Sequence, residues 1–117
     1  MQVQAILKNV RMSAQKMREV VRQIQGLPAA EAQAILLFVP RKGARLVHKT
    51  LTSAMANAED LKMHKEEYKS LNTGALVVKE ALAQTASTMK RFTPKARGSA
   101  GPILKRSCHI KIVLSDK

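Results

Sequence analysis

The sequence predicts an α+β fold in which three helices lie between strands and a long basic hairpin arm joins the last two strands. Apolar and polar residues alternate at both ends of the chain, and apolar residues recur at helical spacing between them. Residues 83–106 offer almost nothing to bury. With 117 residues the chain has room for one domain. We expect a body made of residues 1–82 and 107–117, and an arm made of residues 83–106.

Local signals define the first strand and the first helix. Alternating apolar residues predict a strand over residues 2–11 with one buried face. Ser13 is a favourable N-cap and Gly26 supplies a left-handed stop, so a helix is expected over residues 14–25. Its apolar residues recur at helical spacing at Met17, Val20, Val21 and Ile24.

Two further helices are bounded by proline. Pro28 stands at the start and Pro40 after the end of an Ala- and Leu-rich segment, which predicts a helix over residues 29–38. A third helix is expected over residues 41–59, with a polar face that carries Arg41, Arg45 and Lys49. The opposite face carries Ala44, Val47, Leu51, Ala54, Met55 and Ala58. Charges of both signs then break the pattern, which predicts a connecting loop up to residue 73.

The last two strands flank the arm. Their alternating apolar residues predict antiparallel pairing about a turn near Pro94, with Leu76 opposite Ile112 and Val78 opposite Ile110. Such a hairpin has about 12 to 15 residues a side and a length of about 40 to 50 Å. An isolated two-stranded ribbon is marginal in water, so the arm needs a partner.

The charge of the arm indicates the chemistry of that partner. The chain has 21 Lys and Arg against 8 Asp and Glu, a formal net charge of +13, which attracts polyanions, nucleic acid before an acidic membrane surface. Residues 81–115 contain no acidic residue, and their cations are Lys90, Arg91, Lys95, Arg97, Lys105, Arg106 and Lys111. A basic surface kept for solubility would normally include acids as well. The pattern therefore favours phosphate binding.

Other classes of protein find little support in the sequence. No apolar run approaches the roughly 20 residues of a membrane span, and no secretory leader is expected. The single cysteine, Cys108, is expected in the core, in a reducing compartment such as the cytoplasm. The histidines have no zinc-ligand spacing, His109 is expected to be hydrogen-bonded or on the surface, and the acids are dispersed. We therefore expect no metal, no cofactor and no enzymatic activity.

Four segments resemble a known family. Residues 89–98 read MKRFTPKARG and residues 103–110 read ILKRSCHI, which looks like the hairpin signature of the bacterial large-subunit ribosomal protein twenty-two family. Residues 13–21 (SAQKMREVV) and 53–59 (SAMANAE) resemble segments of that family's first and long helices. The resemblance covers nearly the whole chain.

The resemblance implies a definite structure and role. It implies three helices packed on a small three-stranded antiparallel sheet, with an arm that reaches through large-subunit rRNA to the nascent-peptide exit tunnel. The implied partners are several rRNA domains, neighbouring ribosomal proteins and, transiently, the nascent peptide, without a membrane or a homo-oligomer. The implied role is structural and supports subunit assembly in a cytoplasmic or organellar ribosome. The chain departs from the family pattern at Ala14, residues 84–86, Ser99 and residues 101–102.

Charge and resemblance together select candidate RNA-binding residues. Those of the arm are Lys90, Arg91, Phe92, Lys95, Arg97, Lys105 and Arg106. Those of the body are Lys16, Arg18, Arg41, Lys42 and Arg45. The expected tunnel-facing tip comprises Met89, Lys90, Arg91, Phe92 and Pro94. Phe92 either stacks on a base or folds back onto the hairpin. The alternative function is that of a DNA-bending architectural protein with a basic β-arm, which would usually be dimeric.

Overall fold

The elements follow one another in the predicted α+β order. The computed structural model describes residues 2–116. The elements are β1 (Gln2–Val10), α1 (Ala14–Ile24), α2 (Ala29–Phe38), α3 (Lys42–His64), β2 (Val77–Thr85), β3 (Met89–Pro94), β4 (Ala100–Lys105) and β5 (Cys108–Ser115). Short 3-10 turns lie at Glu66–Tyr68, Thr73–Ala75 and Ala96–Gly98. The predicted fold class is confirmed.

The core lies between the helices and an antiparallel sheet of three strands. The strand order is β1-β5-β2, so that β5 pairs with a neighbour on each side. Helix α1 packs on β2, α3 packs on β1 and β5, and α2 packs on α3. The largest fully buried side chains include Met17, Ile24, Leu51, Leu71, Ile110, Ile112 and Leu114. These residues come from both halves of the chain and lie in one hydrophobic core.

The link between α1 and α2 is tied to the start of β2. Gly26 has a φ of +82°, the left-handed conformation expected of a helix stop. The N–H of Gly26 donates to the Val78 carbonyl at 2.8 Å, and the N–H of Val78 donates to the Leu27 carbonyl at 2.9 Å. The N–H of Ala29 donates to the Leu76 carbonyl at 2.9 Å. Leu76 thus lies just before β2, and its hydrogen bond to Ala29 joins the start of α2 to the sheet.

Helix α3 is longer than predicted. The sequence pattern placed its end at Glu59, whereas the helix continues to His64. Leu61 continues the apolar face of the helix and packs against the core. This contact offsets the unfavourable effect of the neighbouring charges on helix stability. His64 Nε2 lies 3.4 Å from Asp60 Oδ1, one helical turn away on the same face. The expected loop therefore begins at Lys65.

The predicted register of the last two strands is wrong. Val78 lies opposite Leu114, and after a bulge between Val78 and Glu80 the pairing continues with Ala81 opposite Ile112 and Ala83 opposite Ile110. The extra residue of the bulge changes which side chains face the core. Ala81 and Ala83 are consequently buried with the apolar face of β5.

The arm extends the hairpin beyond the sheet. Pairing of β2 with β5 ends at Thr85, and a second sheet of β3 and β4 follows, with Met89 opposite Lys105. The chain reverses where the N–H of Lys95 donates to the Ser99 carbonyl at 2.6 Å. Arg97 and its neighbour Gly98 have positive φ there. The turn is therefore centred near Arg97 instead of Pro94, and the described residues span 66 × 28 × 16 Å.

His109 has the structural environment that its sequence context predicts. Its Nδ1 accepts a hydrogen bond from the N–H of Asn9 at 3.0 Å. Asn9 has a φ of +57° and lies in an irregularity of β1 between Leu7 and Val10. The His109 side chain therefore accepts the hydrogen bond of a backbone N–H that is not paired in the β1–β5 ladder.

Truncation in the core is expected to destabilise the body. Leu51→Ala removes a fully buried side chain of α3 and should lower the free energy of unfolding by about 2–5 kcal/mol. Leu37→Ala is the matched control, because Leu37 is 71% exposed and its truncation should change stability by less than about 0.5 kcal/mol. Urea unfolding followed by circular dichroism measures both. Equal midpoints for the two variants would contradict the described packing.

The Cys108 thiol is expected to be unreactive in the native protein. It is buried, and burial raises the pKa of the Cys108 thiol while the Arg18 guanidinium opposes that rise. At neutral pH a disulfide reagent such as Ellman's should label the native chain more than about a hundredfold more slowly than the chain in urea, because reaction requires opening of the sheet. Rapid labelling of the native protein would place the thiol at the surface instead.

Candidate nucleic-acid interface

The arm presents its cations to solvent. Lys90, Arg91, Lys95 and Arg97 are exposed on β3 and the turn, and Lys105 is exposed at the end of β4. Within β3 successive side chains point to opposite faces of the ribbon. Arg91 shares a face with Met89, whose sulfur lies 3.8 Å from its guanidinium, and Arg91 also donates to the Lys90 carbonyl at 2.8 Å. Both faces of the ribbon therefore carry positive charge.

Phe92 of β3 is also exposed to solvent. It lies opposite Pro102 in the β3–β4 ladder. Its side chain is 74% exposed, so it does not fold back onto the hairpin. The structure leaves its ring available for stacking, which was one of the two readings of the sequence.

The residues predicted for the tip are spread along the arm. Met89 begins β3 and lies opposite Lys105, near the base of the arm, and Pro94 ends β3. Beyond Pro94 the chain continues through Lys95 and Arg97. Lys95 and Arg97 are therefore the most distal cations of the arm.

A cleft at the base of the arm collects cations from distant parts of the chain. It has a volume of about 540 Å³ and lies between the body and the end of β4. Five of its lining residues are basic, and none of the described lining residues is acidic. We call this site the basic cleft; its lining residues are Arg11, Ser13, Lys16, Lys42, Leu104, Lys105 and Arg106. Like charges held together without acids create a strong positive potential, which favours an anion with several charges.

Arg11 is a candidate that sequence reasoning missed. It follows β1 directly, and its carbonyl accepts a hydrogen bond from Lys42 Nζ at 3.3 Å. The antiparallel pairing of the first and last strands would have indicated Arg11, because Val10 lies opposite Cys108. That register brings Arg11 beside Arg106. The sequence alone does not show that β1 pairs with β5, so it does not place Arg11 near the arm.

The predicted body cations divide into different environments. Lys16 and Lys42 line the basic cleft. Arg18 instead donates from Nε to the Ala83 carbonyl at 3.1 Å and so ties α1 to β2 where the arm leaves the body. Arg41 forms an ion pair with Glu19. Arg45 lines a second cleft beside the end of α2.

These features define a class of protein. A small α+β body carries a long basic ribbon, and cations of both meet in one cleft. No group of metal-ligating side chains occurs within residues 2–116. Among the same residues, no helix combines the length and the apolar character of a membrane span. The architecture and the charge are those of a basic nucleic-acid-binding protein.

Comparison with known proteins identifies the family. The model of the family described as ribosomal protein L22p/L17e matches residues 5–115. The chain belongs to this family, which confirms the resemblance seen in the sequence and the expectation of a non-enzymatic protein. Between the two hypotheses drawn from the sequence, membership favours the ribosomal one over the DNA-bending one.

Full-length relatives agree with this assignment. The chain is 49% identical over 116 residues to a protein of Opitutus terrae, covering 99% of this chain and 96% of the relative. It is 45% identical over 117 residues to proteins of Akkermansia muciniphila and Finegoldia magna, covering all of this chain and 98% of each relative. All three are described as large ribosomal subunit protein uL22.

Loss of the Arg18 hydrogen bond is expected to loosen the base of the arm. Arg18→Met keeps the aliphatic stem but removes the Nε–H that binds the Ala83 carbonyl. The free energy of unfolding should fall by about 1 kcal/mol, and amide hydrogen exchange at the end of β2 should accelerate. Arg22→Met, on the exposed side of the last turn of α1, is the control and should leave both unchanged. Identical exchange in the two variants would show that Arg18 does not anchor the arm.

Proposed function

We propose that the protein is a structural constituent of the large ribosomal subunit that binds rRNA through the basic cleft and the arm. The observation that carries this proposal is the convergence of body and arm cations in a cleft whose described lining contains no acid. Its relatives described as large ribosomal subunit proteins support it. The protein performs no catalysis and needs no cofactor.

The arm acts as an electrostatic clamp between RNA segments. Cations run from Lys95 and Arg97 at the turn to Lys105 and Arg106 at the base. The arginines make forked contacts with phosphates, and the lysines act as adaptable point charges. Small residues on the ribbon, such as Ala96, permit close approach of the RNA backbone. Binding of this kind depends on phosphate positions and RNA shape more than on sequence.

RNA supplies the support that the arm lacks. Within residues 2–116, we assign residues 83–106 to the arm and the remaining residues to the body of a single domain. Because an isolated ribbon is marginal in water, rRNA that contacts both parts stabilises the arm and connects rRNA domains during assembly. The protein enters the subunit as a monomer beside other ribosomal proteins, in the cytoplasm. The distal residues of the arm line the exit tunnel and meet the nascent peptide.

Neutralising the outer arm tests the clamp. A variant with Lys90, Arg91, Lys95 and Arg97 replaced by Gln should remain folded, because all four residues are exposed. Its affinity for large-subunit rRNA should fall, and the slope of log K against log salt should decrease by about one per lost phosphate contact, up to about four. Filter binding across a salt series measures the slope, and sucrose gradients of cell extracts measure incorporation into large subunits.

A matched control separates the arm from net charge. Lys62, Lys65, Lys69 and Lys79 are exposed on the body, and replacing them by Gln removes the same number of charges. This variant should keep most of the wild-type slope and incorporate normally. Equal loss of slope in the two variants, or normal incorporation of the arm variant, would contradict the clamp.

A further inference from the structure

Helix α2 leaves two large apolar side chains in solvent. The segment Ala29–Phe38 is apolar on nearly all sides, and it buries Ala29, Ala32 and Leu36 against the body. Leu37 and Phe38, at its C-terminal end, are 71% and 86% exposed. A helix that is apolar all round is normally covered on all sides. The exposed pair therefore indicates a contact that the isolated chain does not make.

The surroundings of this pair are basic. Leu37 and Phe38 line a cleft of about 730 Å³ together with Arg41, Lys42, Arg45 and His48. We call it the aromatic cleft. None of its described lining residues is acidic. Arg41 is already paired with Glu19, so Lys42 and Arg45 are the cations best placed to receive an anion.

The aromatic cleft continues the basic cleft. Lys42 lines both of them, and its Nζ donates to the carbonyl of Arg11, a lining residue of the basic cleft. A polyanion bound in the basic cleft therefore lies next to the cleft that contains Phe38. Shared charge and continuity argue for one ligand that extends over both clefts.

We propose that the aromatic cleft binds an unpaired nucleotide of the RNA, with its base stacked on Phe38 and its phosphate held by Lys42 and Arg45. This inference rests on the proposed function. An unpaired base offers a free π-face, whereas bases of a duplex are stacked on one another. A protein partner is the poorer fit, since Leu37 and Phe38 are the only large apolar side chains of the described lining that are exposed, and the rim would require a matching set of acids.

The test compares single-stranded and duplex RNA binding to the full chain. The probes are a short fluorescein-labelled oligouridylate and a labelled RNA duplex of equal length, followed by fluorescence anisotropy over a salt series. Phe38→Ala should bind the oligouridylate at least about fivefold more weakly. The slope against log salt should stay unchanged, because no phosphate contact is lost. Duplex binding should also stay unchanged.

Two further variants serve as controls. Phe38→Tyr keeps an aromatic ring and should bind the oligouridylate like the wild type. Met63→Ala removes another exposed apolar side chain, 77% exposed near the other end of α3, and should have no effect. Because Phe38 is exposed, circular dichroism should show the same fold for all variants.

Several results would overturn the inference. Wild-type affinity of Phe38→Ala for the oligouridylate would exclude stacking, while RNA binding by the wild type would still support the proposed function. Normal RNA binding combined with poor incorporation into subunits would assign the patch to a neighbouring protein. Equal weakening of duplex and single-strand binding, with a smaller salt slope, would show an effect on charge instead of stacking. Absence of all RNA binding by the wild type would reject the proposed function as well.

Discussion

The structure depends on the pairing of the C-terminal strand β5 with a neighbour on each side. β5 joins β1, from the start of the chain, to β2, which enters the arm. Its core-facing residues Ile110, Ile112 and Leu114 are fully buried, so this pairing is coupled to the packing of the helices. Because β2 and β5 are held side by side, the chain between them leaves the body as a closed ribbon. The same pairing with β1 brings Arg11 to the base of that ribbon and completes the basic cleft.

Local pattern predicted the elements better than their ends and their register. The bounds predicted for α1 and α2 from Ser13, Gly26 and the prolines agree with the structure to within a residue, although the Ser13 side chain makes no capping hydrogen bond. The extension of α3 depends on Leu61, whose contact with the core offsets the charges around it. The register of β2 depends on a bulge after Val78, for which the side chains give no local signal. Gly98 favours positive φ and so indicated a turn at its position. The predicted turn was instead placed near Pro94, because proline is a common turn residue.

Charge in the sequence marked most of the candidate residues, but it did not indicate which of them the fold brings together, and it missed Arg11. The cations of the arm are recognisable because no acid lies near them in the sequence. Lys16, Lys42 and Lys105 lie far apart in the chain, and only the packing of α1, α3 and β4 brings them together. Arg18 and Arg41 also have partners within the protein, which the sequence did not indicate: the Ala83 carbonyl and Glu19. Phe38 was absent from the predicted site because an apolar residue at a helix end is usually part of a core.

The positive charge is segregated along the molecule. Helix α3 begins at the basic cleft with Lys42 and ends about 33 Å away, at 1.5 Å per residue. Glu59 and Asp60 lie at that far end, and Glu80 lies opposite Val113, near the end of β5 that is remote from the arm. Acids thus reduce repulsion where the body folds on itself, and Glu19 pairs with Arg41 beside the basic cleft. No acid lies within residues 81–115 or among the described lining residues of the basic cleft. An external anion relieves the repulsion there, which is the physical reason for proposing this surface as the one that binds RNA.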